Sequence, residues 1–317
     1  MKLIKPSFEI LEQKPRAIVI PDDMEIGPRK AREELLNSIY RQIEIAGRTC
    51  YKSEDKITED SAKPFVERMI KSGHGAMLEH GTVYLKHKTD IINRYIHPED
   101  GEEEYFNELE KYGYNSYSVT NDDGEYLYVT TNLRVLVENN WLDNLQYICG
   151  PTEYHEKRIT VRFICDRGVS HEFVRHRVFS FAQESTRYCN YSKDKFGNEL
   201  TFIEPLWLDD LEWDTYTDIY KSSLAHSENA YFELLKQWNE RIPDKRYKSG
   251  FKNNPWTPQQ ARAILPNSLK TELVMTGFVS DWKHFFELRC SSSAHPQARE
   301  LAIPLQEEFI ARGYINN

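Results

Sequence analysis

The most informative segment for the architecture of this chain is Ile159-Thr160-Val161-Arg162-Phe163-Ile164-Cys165. Apolar side chains at positions 159, 161, 163 and 165 alternate with the intervening residues, two of which are polar. Because successive side chains of a strand point to opposite faces, this alternation predicts a half-buried β-strand. The next stretch, from Gly168 to Val178, is predicted to be helical and carries a basic cluster.

Three further elements are predicted on the N-terminal side of this strand. Between Lys30 and Ala46 apolar residues recur at helical spacing, and Gly47 follows where a C-cap would stand. A second helix runs from about Ser61 to Ser72 and is ended by Gly73. Thr82 to His87 then reads as a strand.

The C-terminal side of the chain mixes helices with another strand. The first is a long helix with one apolar face, formed by Tyr220, Leu224, Tyr231, Leu235 and Trp238. A second helix begins at the capping box Thr257-Pro258-Gln259-Gln260 and stops before Pro266, and a strand follows at Leu269–Thr276. A helix at Asp281–Arg289 comes next, and a final helix begins near Ser293 and should be bent or split by Pro304. Strands and helices follow no repeating rhythm. The predicted fold class is therefore α+β, with a mixed or antiparallel sheet and flanking helices.

Residues 89–156 interrupt this pattern. They open with an acidic, turn-rich run from Pro98 to Glu104 and continue with a hairpin signal, in which Asp123-Gly124 separates two strand-like runs. A helix is predicted from Leu133 to Leu145. We interpret the segment as a large insertion within a single domain covering residues 1–317, and a separate subdomain is the alternative.

Composition restricts the classes of function. The chain has 317 residues, and 41 Lys and Arg against 50 Asp and Glu give a net charge of −9. Proteins that bind nucleic-acid duplexes rely on a basic surface, so this balance argues against nucleic acid as a partner, although a few arginines suffice to bind one small anion. The sequence has no run of about 18 apolar residues, no secretory signal and no Cys-x-x-Cys pair among its five cysteines. We therefore expect a cytoplasmic protein with reduced thiols and no membrane partner.

Three strings contain most of the residues that could support chemistry. The first runs from Arg175 to Tyr188 and holds three arginines and a histidine within fourteen residues. Arginine donors match phosphate oxygens, so the string indicates either a pocket for a phosphorylated ligand or a solvated helix end and loop.

The other two strings are less specific. His74, Glu79 and His80 could be metal ligands, but their spacing does not match His-Glu-x-x-His, and a loop whose histidines bind backbone groups is the favoured interpretation. Arg289 lies at a predicted helix end, where it could merely cap carbonyl groups.

Together, these strings resemble the signature of the flavin-dependent thymidylate synthases. The core motif of that family resembles one stretch of this chain: Arg175-His176-Arg177, then a gap of seven residues, then Ser185, and finally Arg187-Tyr188. The flanking strings that resemble the family, in its order, are residues 46–50, 74–80, 261–266 and 284–297. The resemblance covers the chain from about residue 30 to its end, apart from residues 89–156.

The resemblance implies a specific reaction. Members of the family make dTMP from dUMP, with methylenetetrahydrofolate as carbon donor and NADPH as reductant, through a bound FAD, and they release tetrahydrofolate. They are homotetramers, and each active site is assembled from several subunits. The expected partners are therefore dUMP, the folate, NADPH and further copies of this chain, and no metal is expected.

The resemblance also implies roles for individual residues. The positions expected to bind dUMP are Glu172, Arg175, Gln183, Glu184, Ser185, Arg187, Arg262 and Arg289. The positions expected to bind FAD are Ala76, Glu79, His80, Arg175, His176, Arg177, Gln183, His284 and His295. Arg289 is expected to be catalytic, because a guanidinium at the pyrimidine edge stabilises an anionic ring in a water-poor pocket.

Departures from the family pattern leave alternatives open. Ala182 stands where many members have Asn, the acid Glu184 lies one position late, and Glu172 stands where a Gln is often found. A second hypothesis is therefore a catalytically impaired relative that binds flavin and nucleotide, and a third is a metal-dependent hydrolase built on the histidine string. Ser185 is read as a ligand contact rather than a nucleophile because no base lies beside it. The cysteines Cys50, Cys189 and Cys290 are read as structural.

Overall fold

The structure is a computed structural model that describes residues 1–15, 28–89, 93–96, 103–106, 108–208, 215–236 and 255–316. Its strands are β1 (Lys2–Ile4), β2 (Ser7–Leu11), β3 (Thr82–Lys88), β4 (Asn93–Ile96), β5 (Glu103–Phe106), β6 (Val119–Asp122), β7 (Tyr126–Asn132), β8 (Arg158–Asp166), β9 (Ser180–Gln183), β10 (Thr201–Ile203) and β11 (Lys270–Phe278). Its α-helices are α1 (Pro28–Tyr51), α2 (Ala62–Lys71), α3 (Gly75–Leu78), α4 (Leu133–Glu138), α5 (Arg167–Phe173), α6 (Thr215–Leu235), α7 (Pro258–Ala261), α8 (Val279–Arg289) and α9 (Pro296–Ala311). Short 3-10 helices cover Glu54–Lys56, Glu110–Tyr114, Leu142–Tyr147, Asp194–Phe196 and Arg262–Ile264.

The central sheet has the strand order β2-β8-β11-β9, and all of its pairs are antiparallel. The predicted strand at residues 159–165 is confirmed as most of β8, which pairs with β11 along its whole length. On one face, Val161 and Phe163 pack with Trp282 and Phe285 of α8 and with Phe309 of α9. The alternation in the sequence therefore does mark the buried face of the sheet.

The opposite face of this sheet packs against α1. Ala182 of β9 and Val274 of β11 are buried with Ala46 of α1. The central sheet thus lies between α1 on one side and α5, α8 and α9 on the other. This layering decides which face each residue of β9 presents.

A second antiparallel sheet, with the order β3-β7-β6, shares a core with α1 and α2. The predicted hairpin is confirmed: Asp123 accepts hydrogen bonds from two backbone N–H groups, and Gly124 adopts a φ of +88°. Leu127 and Val129 of β7 pack with Ile39 and other residues of this core. Residues 98–102 of the predicted acidic run lie outside the described residues, and the interpretation of residues 89–156 as an insertion stays a prediction.

A further core surrounds α6. Strands β1 and β10 pair in parallel, and Phe202 of β10 packs with Leu224 and Tyr231 of α6, as the predicted apolar face requires. Trp238, which was assigned to the same face, lies outside the described residues. Antiparallel sheets mixed irregularly with helices confirm the α+β class. None of the helices within the described residues is both long and apolar enough to cross a lipid bilayer.

Two predicted helix boundaries are wrong, and each has a physical reason. Gly47 does not end α1, which continues to Tyr51; a Cβ at this glycine would lie 2.6 Å from Phe65 Cζ, so glycine is needed for close packing of α2. Helix α5 ends at Phe173 and not at Val178. Its Glu172 carbonyl accepts a hydrogen bond from an arginine side chain instead of from the next helical turn.

One prediction about helix continuity is wrong, and of the two outcomes predicted for Pro304, a bend or a split, the split does not occur. The helix predicted at Leu133–Leu145 is interrupted by Asn140, which adopts a φ of +59°, and it resumes only as the 3-10 helix. Helix α9 is not split by Pro304. That proline lies on the exposed face of the helix, where water can bind the carbonyl group that loses its N–H partner.

Candidate functional site

Glu172, His176 and Arg289 form one hydrogen-bonded cluster, which we call the Arg289 group. Helix α8 ends at Arg289, and its guanidinium reaches across to the end of α5. Nε donates to His176 Nε2 at 2.9 Å, Nη1 donates to Glu172 Oε2 at 2.8 Å, and Nη2 donates to the Glu172 carbonyl at 2.7 Å. The guanidinium plane is therefore held at three points, while 13% of the side chain remains exposed.

His176 is an uncharged member of this group. Its ring packs against Phe285 and Phe179, and 7% of the residue is exposed. Burial, together with the nearby charge of Arg289, lowers the pKa of His176 from 6.5 to about 4. Since Nε2 accepts a hydrogen bond from Arg289, the ring proton of the neutral form lies on Nδ1.

Exposed cationic and imidazole side chains surround the Arg289 group. Arg175 is 71% exposed and lies 3.5 Å from Glu172, and Arg177 is also exposed. His284 is 64% exposed, and its ring centroid lies 6.4 Å from that of His176. These side chains form a positively charged rim that is suited to phosphate oxygens.

Ser185 and Arg187 lie in a turn that follows β9. The Ser185 N–H donates to the Cys50 carbonyl at the end of α1, and Arg187 Nε donates to Gln259 Oε1 at 3.1 Å. Arg262 follows Gln259 by three residues in the neighbouring 3-10 helix, and both arginines are exposed. This second basic region could accept an anion from solvent.

The sequence assigned Gln183 and Glu184 to the same ligand, but they face opposite sides of the central sheet. Gln183 donates to Ser170 of α5 at 2.9 Å. Glu184 is buried, accepts from Tyr191 at 2.9 Å and binds Lys270 at 2.9 Å. The Glu184 N–H still donates to a β11 carbonyl, so the period-two alternation of β9 extends through it and separates the two side chains. Direct ligand contact by Glu184 is therefore not supported.

Glu184 belongs to a buried ion network that sequence reasoning missed. Lys270 binds both Glu184 and Glu272, and Glu272 also binds Lys52 at 2.8 Å. Burial alone would raise the pKa of Glu272, but Lys270 and Lys52 lower it to about 2. The available signal in the sequence was a pair of charged residues, at positions 270 and 272, in a strand whose other residues are uncharged.

The residues around α3 that are predicted to bind the flavin differ in exposure and in their partners. Ala76 is exposed, and Glu79 binds Arg134. His80 has no exposed surface: Nδ1 lies 2.8 Å from Thr276 Oγ1, and Nε2 has no hydrogen-bond partner within the described residues. A direct flavin contact by the His80 imidazole is therefore not supported in this conformation.

The same geometry separates the residues of the suggested metal site. His74 is paired with Ser72, Glu79 with Arg134, and His80 faces the protein interior. In the part of the chain that the structure describes, no group of three or more His, Cys, Asp or Glu residues is arranged to hold a metal ion.

Cys189 is buried, and Cys50 and Cys290 are partly buried. Burial raises the pKa of Cys50 to about 11 and that of Cys189 to about 12. Burial also raises the pKa of Cys290. Because a reactive cysteine needs a lowered pKa, these values argue against a cysteine nucleophile.

His295 occupies the N-cap position of α9 without a side-chain capping hydrogen bond, and its ring centroid lies 6.2 Å from that of Trp207. Two residues later, Gln297 donates to Asp166, the N-cap of α5, at 2.8 Å. Helix α9 is thus attached to the helix that carries Glu172.

Within a single chain, the predicted site residues therefore form three separate groups. The Arg289 group lies with Arg175, Arg177 and His284 at the ends of α5 and α8, and Ser185 lies with Arg187 beyond β9. Ala76, Glu79 and His80 lie around α3.

A sequence model of one protein family matches this chain. The family is described as thymidylate synthase complementing protein, and the match covers residues 151–312, just over half of the chain. The matched range contains both basic regions and excludes α3.

Curated proteins similar to this chain are named flavin-dependent thymidylate synthases. They include proteins from Corynebacterium glutamicum (31% identical over 137 residues, 43% of this chain and 51% of the relative), Mycobacterium marinum (32% over 145 residues, 46% and 54%) and Mycobacterium avium (34% over 137 residues, 43% and 51%). The chain spans about half the length of the curated relatives it matches.

Proposed function

This chain belongs to the thymidylate synthase complementing protein family, which includes flavin-dependent thymidylate synthases, and we propose that it converts dUMP to dTMP. The proposed reaction is a reductive methylation with methylenetetrahydrofolate as carbon donor and NADPH as reductant through a bound FAD. The observation that supports it most strongly is Arg289, whose guanidinium is held at three points while 13% of the side chain is exposed.

The residues around the Arg289 group fit a flavin dinucleotide. Its diphosphate needs several cationic or N–H donors on one accessible surface. Arg175, Arg177 and His284 supply such donors from the adjoining ends of α5 and α8, and all three are exposed. We assign FAD to these side chains, and a bound flavin would supply the electrons that the methylation consumes.

The protein's own contribution is to bind and polarise the nucleotide. Carbon 5 of uracil is a weak nucleophile, and negative charge on the ring activates it. Arg289 would donate hydrogen bonds to a carbonyl edge of the ring, where they strengthen as that charge develops. Ser185, Arg187 and Arg262 would bind the phosphate and sugar and so restrict the orientation of the ring.

We further propose that the active site is shared between subunits of a homotetramer. In one chain, His176 of the Arg289 group precedes β9 and contacts α8, whereas Ser185 follows β9 and contacts α1, and a second copy could complete either region. We also propose that the chain forms a single domain, in which residues 89–156 are an insertion. All five cysteines are free thiols, which supports a reducing compartment such as the cytoplasm.

The test is the absorption spectrum and the product of the purified protein. We expect flavin absorbance, and dTMP formation that requires dUMP, methylenetetrahydrofolate and NADPH. Arg29→Ala is a matched control because Arg29 is 94% exposed and lies outside both basic regions. Protein without flavin would contradict the proposal, and a flavoprotein that consumes NADPH without forming dTMP would favour the catalytically impaired relative.

A further inference from the structure

The hydrogen bonds of Arg289 leave a defined part of its guanidinium available. Arginine has five N–H donors in one plane. One on each nitrogen is used, by His176, by the Glu172 carboxylate and by the Glu172 carbonyl. Within the described residues, two N–H groups of Arg289 therefore remain for a ligand, one on Nη1 and one on Nη2.

We propose that Glu172 and His176 are positioning residues for Arg289, and that Glu172 also sets how much positive charge Arg289 presents to a pyrimidine ring. This inference rests on the proposed function and assigns these two residues differently from the resemblance, which placed Glu172 on dUMP and His176 on FAD.

The contacts of His176 support a positioning role. Its Nε2 is taken by Arg289, and its ring is packed between Phe179 and Phe285. With 7% of the residue exposed, little of the side chain can meet a cofactor. His176 therefore acts on a ligand through Arg289.

Glu172 is held in a similar way. One carboxylate oxygen and the main-chain carbonyl bind Arg289, and the other carboxylate oxygen lies 3.5 Å from Arg175. Arg175 is 71% exposed, so water screens its charge, whereas Arg289 is 13% exposed. The main electrostatic partner of the carboxylate is therefore Arg289.

The charge of the Arg289 group follows from these contacts. The guanidinium carries +1, the Glu172 carboxylate −1, and His176 is neutral because its Nε2 accepts a hydrogen bond. The sum is close to zero, whereas a glutamine at position 172 would leave it at +1. The carboxylate thus weakens the attraction of Arg289 for an anionic ring and fixes the direction of its N–H groups.

Two substitutions separate orientation from charge. Glu172→Gln keeps an oxygen that can accept from Nη1 but removes the negative charge, and Glu172→Ala removes both. The probes are dUMP and 5-fluoro-dUMP, whose electron-withdrawing fluorine makes the ring N–H more acidic. Dissociation constants are measured at one pH on FAD-loaded protein by titration calorimetry.

For Glu172→Gln we expect about fivefold tighter binding of 5-fluoro-dUMP and less than about a twofold change for dUMP. For Glu172→Ala we expect weaker binding of both nucleotides and about a tenfold fall in kcat, because Arg289 loses its alignment. If Gln and Ala weaken both ligands alike, the charge-setting role of Glu172 is wrong.

A second pair of variants tests His176. His176→Phe preserves a ring against Phe285 but removes the acceptor, and His176→Gln restores an acceptor. We expect both variants to keep FAD, with dUMP affinity reduced in the Phe variant and largely recovered in the Gln variant. Loss of flavin absorbance from His176→Phe would show that His176 contacts the cofactor and would overturn the inference.

The wild-type protein separates this inference from the function on which it rests. If wild-type protein binds neither FAD nor dUMP, both proposals fall. If it forms dTMP while the variants contradict the expectations above, the proposed function stands and only the roles of Glu172 and His176 are wrong.

Discussion

His80 should make this protein sensitive to acid. The residue is fully buried, one ring nitrogen contacts Thr276 Oγ1 at 2.8 Å, and the cation of Arg158 lies nearby. Burial, and then the charge of Arg158, lower the pKa of His80 from 6.5 to about 3. In the unfolded chain the same imidazole titrates near its ordinary value.

The sign of the effect follows from proton uptake. Between the two pKa values the unfolded chain binds a proton that the folded chain does not, so the free energy of unfolding falls as the pH falls. The contribution of His80 is fully present above pH 6.5 and is lost progressively towards about pH 3. Going from about pH 7 to about pH 4.5 should cost about 2–3 kcal/mol from this residue alone.

The assay compares wild-type protein with His80→Asn at equal protein concentration. Asparagine does not titrate in this range and can keep a hydrogen bond to Thr276. Urea unfolding is followed by tryptophan fluorescence at both pH values, and the loss of stability on acidification should be about 2–3 kcal/mol smaller in the variant. His226→Asn, which makes the same substitution at an exposed histidine, is the matched control. Equal pH dependence in wild type and His80→Asn would refute the reasoning.

Three further changes have defined outcomes. Arg289→Ala should abolish dTMP formation while FAD absorbance remains, and loss of flavin together with activity would show that the arginine is misassigned. Lys270→Met should lower the free energy of unfolding by about 3–5 kcal/mol, because two buried carboxylates lose their shared cation; a loss below about 1 kcal/mol in urea unfolding would contradict a buried network. Gly47→Ala should cost about 1–3 kcal/mol through its clash with Phe65, whereas Gly150→Ala, with no atom within 4 Å of the added Cβ, should be nearly neutral in thermal unfolding.

The sequence predicted the central strand well because its signal is local. The alternation at residues 159–165 reports directly which side chains are buried in β8, and Asp123-Gly124 reports a turn that glycine permits. The end of α1 was not predictable in this way. Gly47 is required by Phe65, a residue of another helix, and a C-cap glycine and a packing glycine look the same in one sequence.

The candidate site was predicted in composition but not in arrangement. The motif placed Arg289 near the basic triplet, and the contact with His176 agrees with this. It also placed Glu184 and His80 on ligands, although both side chains are buried within the chain. The orientation of Glu184 depends on which side of β9 faces α1 and on Lys270, and the orientation of His80 depends on Thr276. Neighbouring residues in the sequence do not report such long-range contacts.

The buried network of Lys52, Lys270, Glu184 and Glu272 limits how this protein can evolve or be redesigned. Lys270 pairs with both Glu184 and Glu272, and Lys52 pairs with Glu272 and with the partly exposed Glu54, so losing Lys270 leaves two carboxylates that water cannot readily reach. Substitutions there should be tolerated only in compensating combinations, or as replacement of the whole set by apolar side chains of similar volume. These positions are therefore expected to covary among related sequences even though none of them needs to touch a ligand.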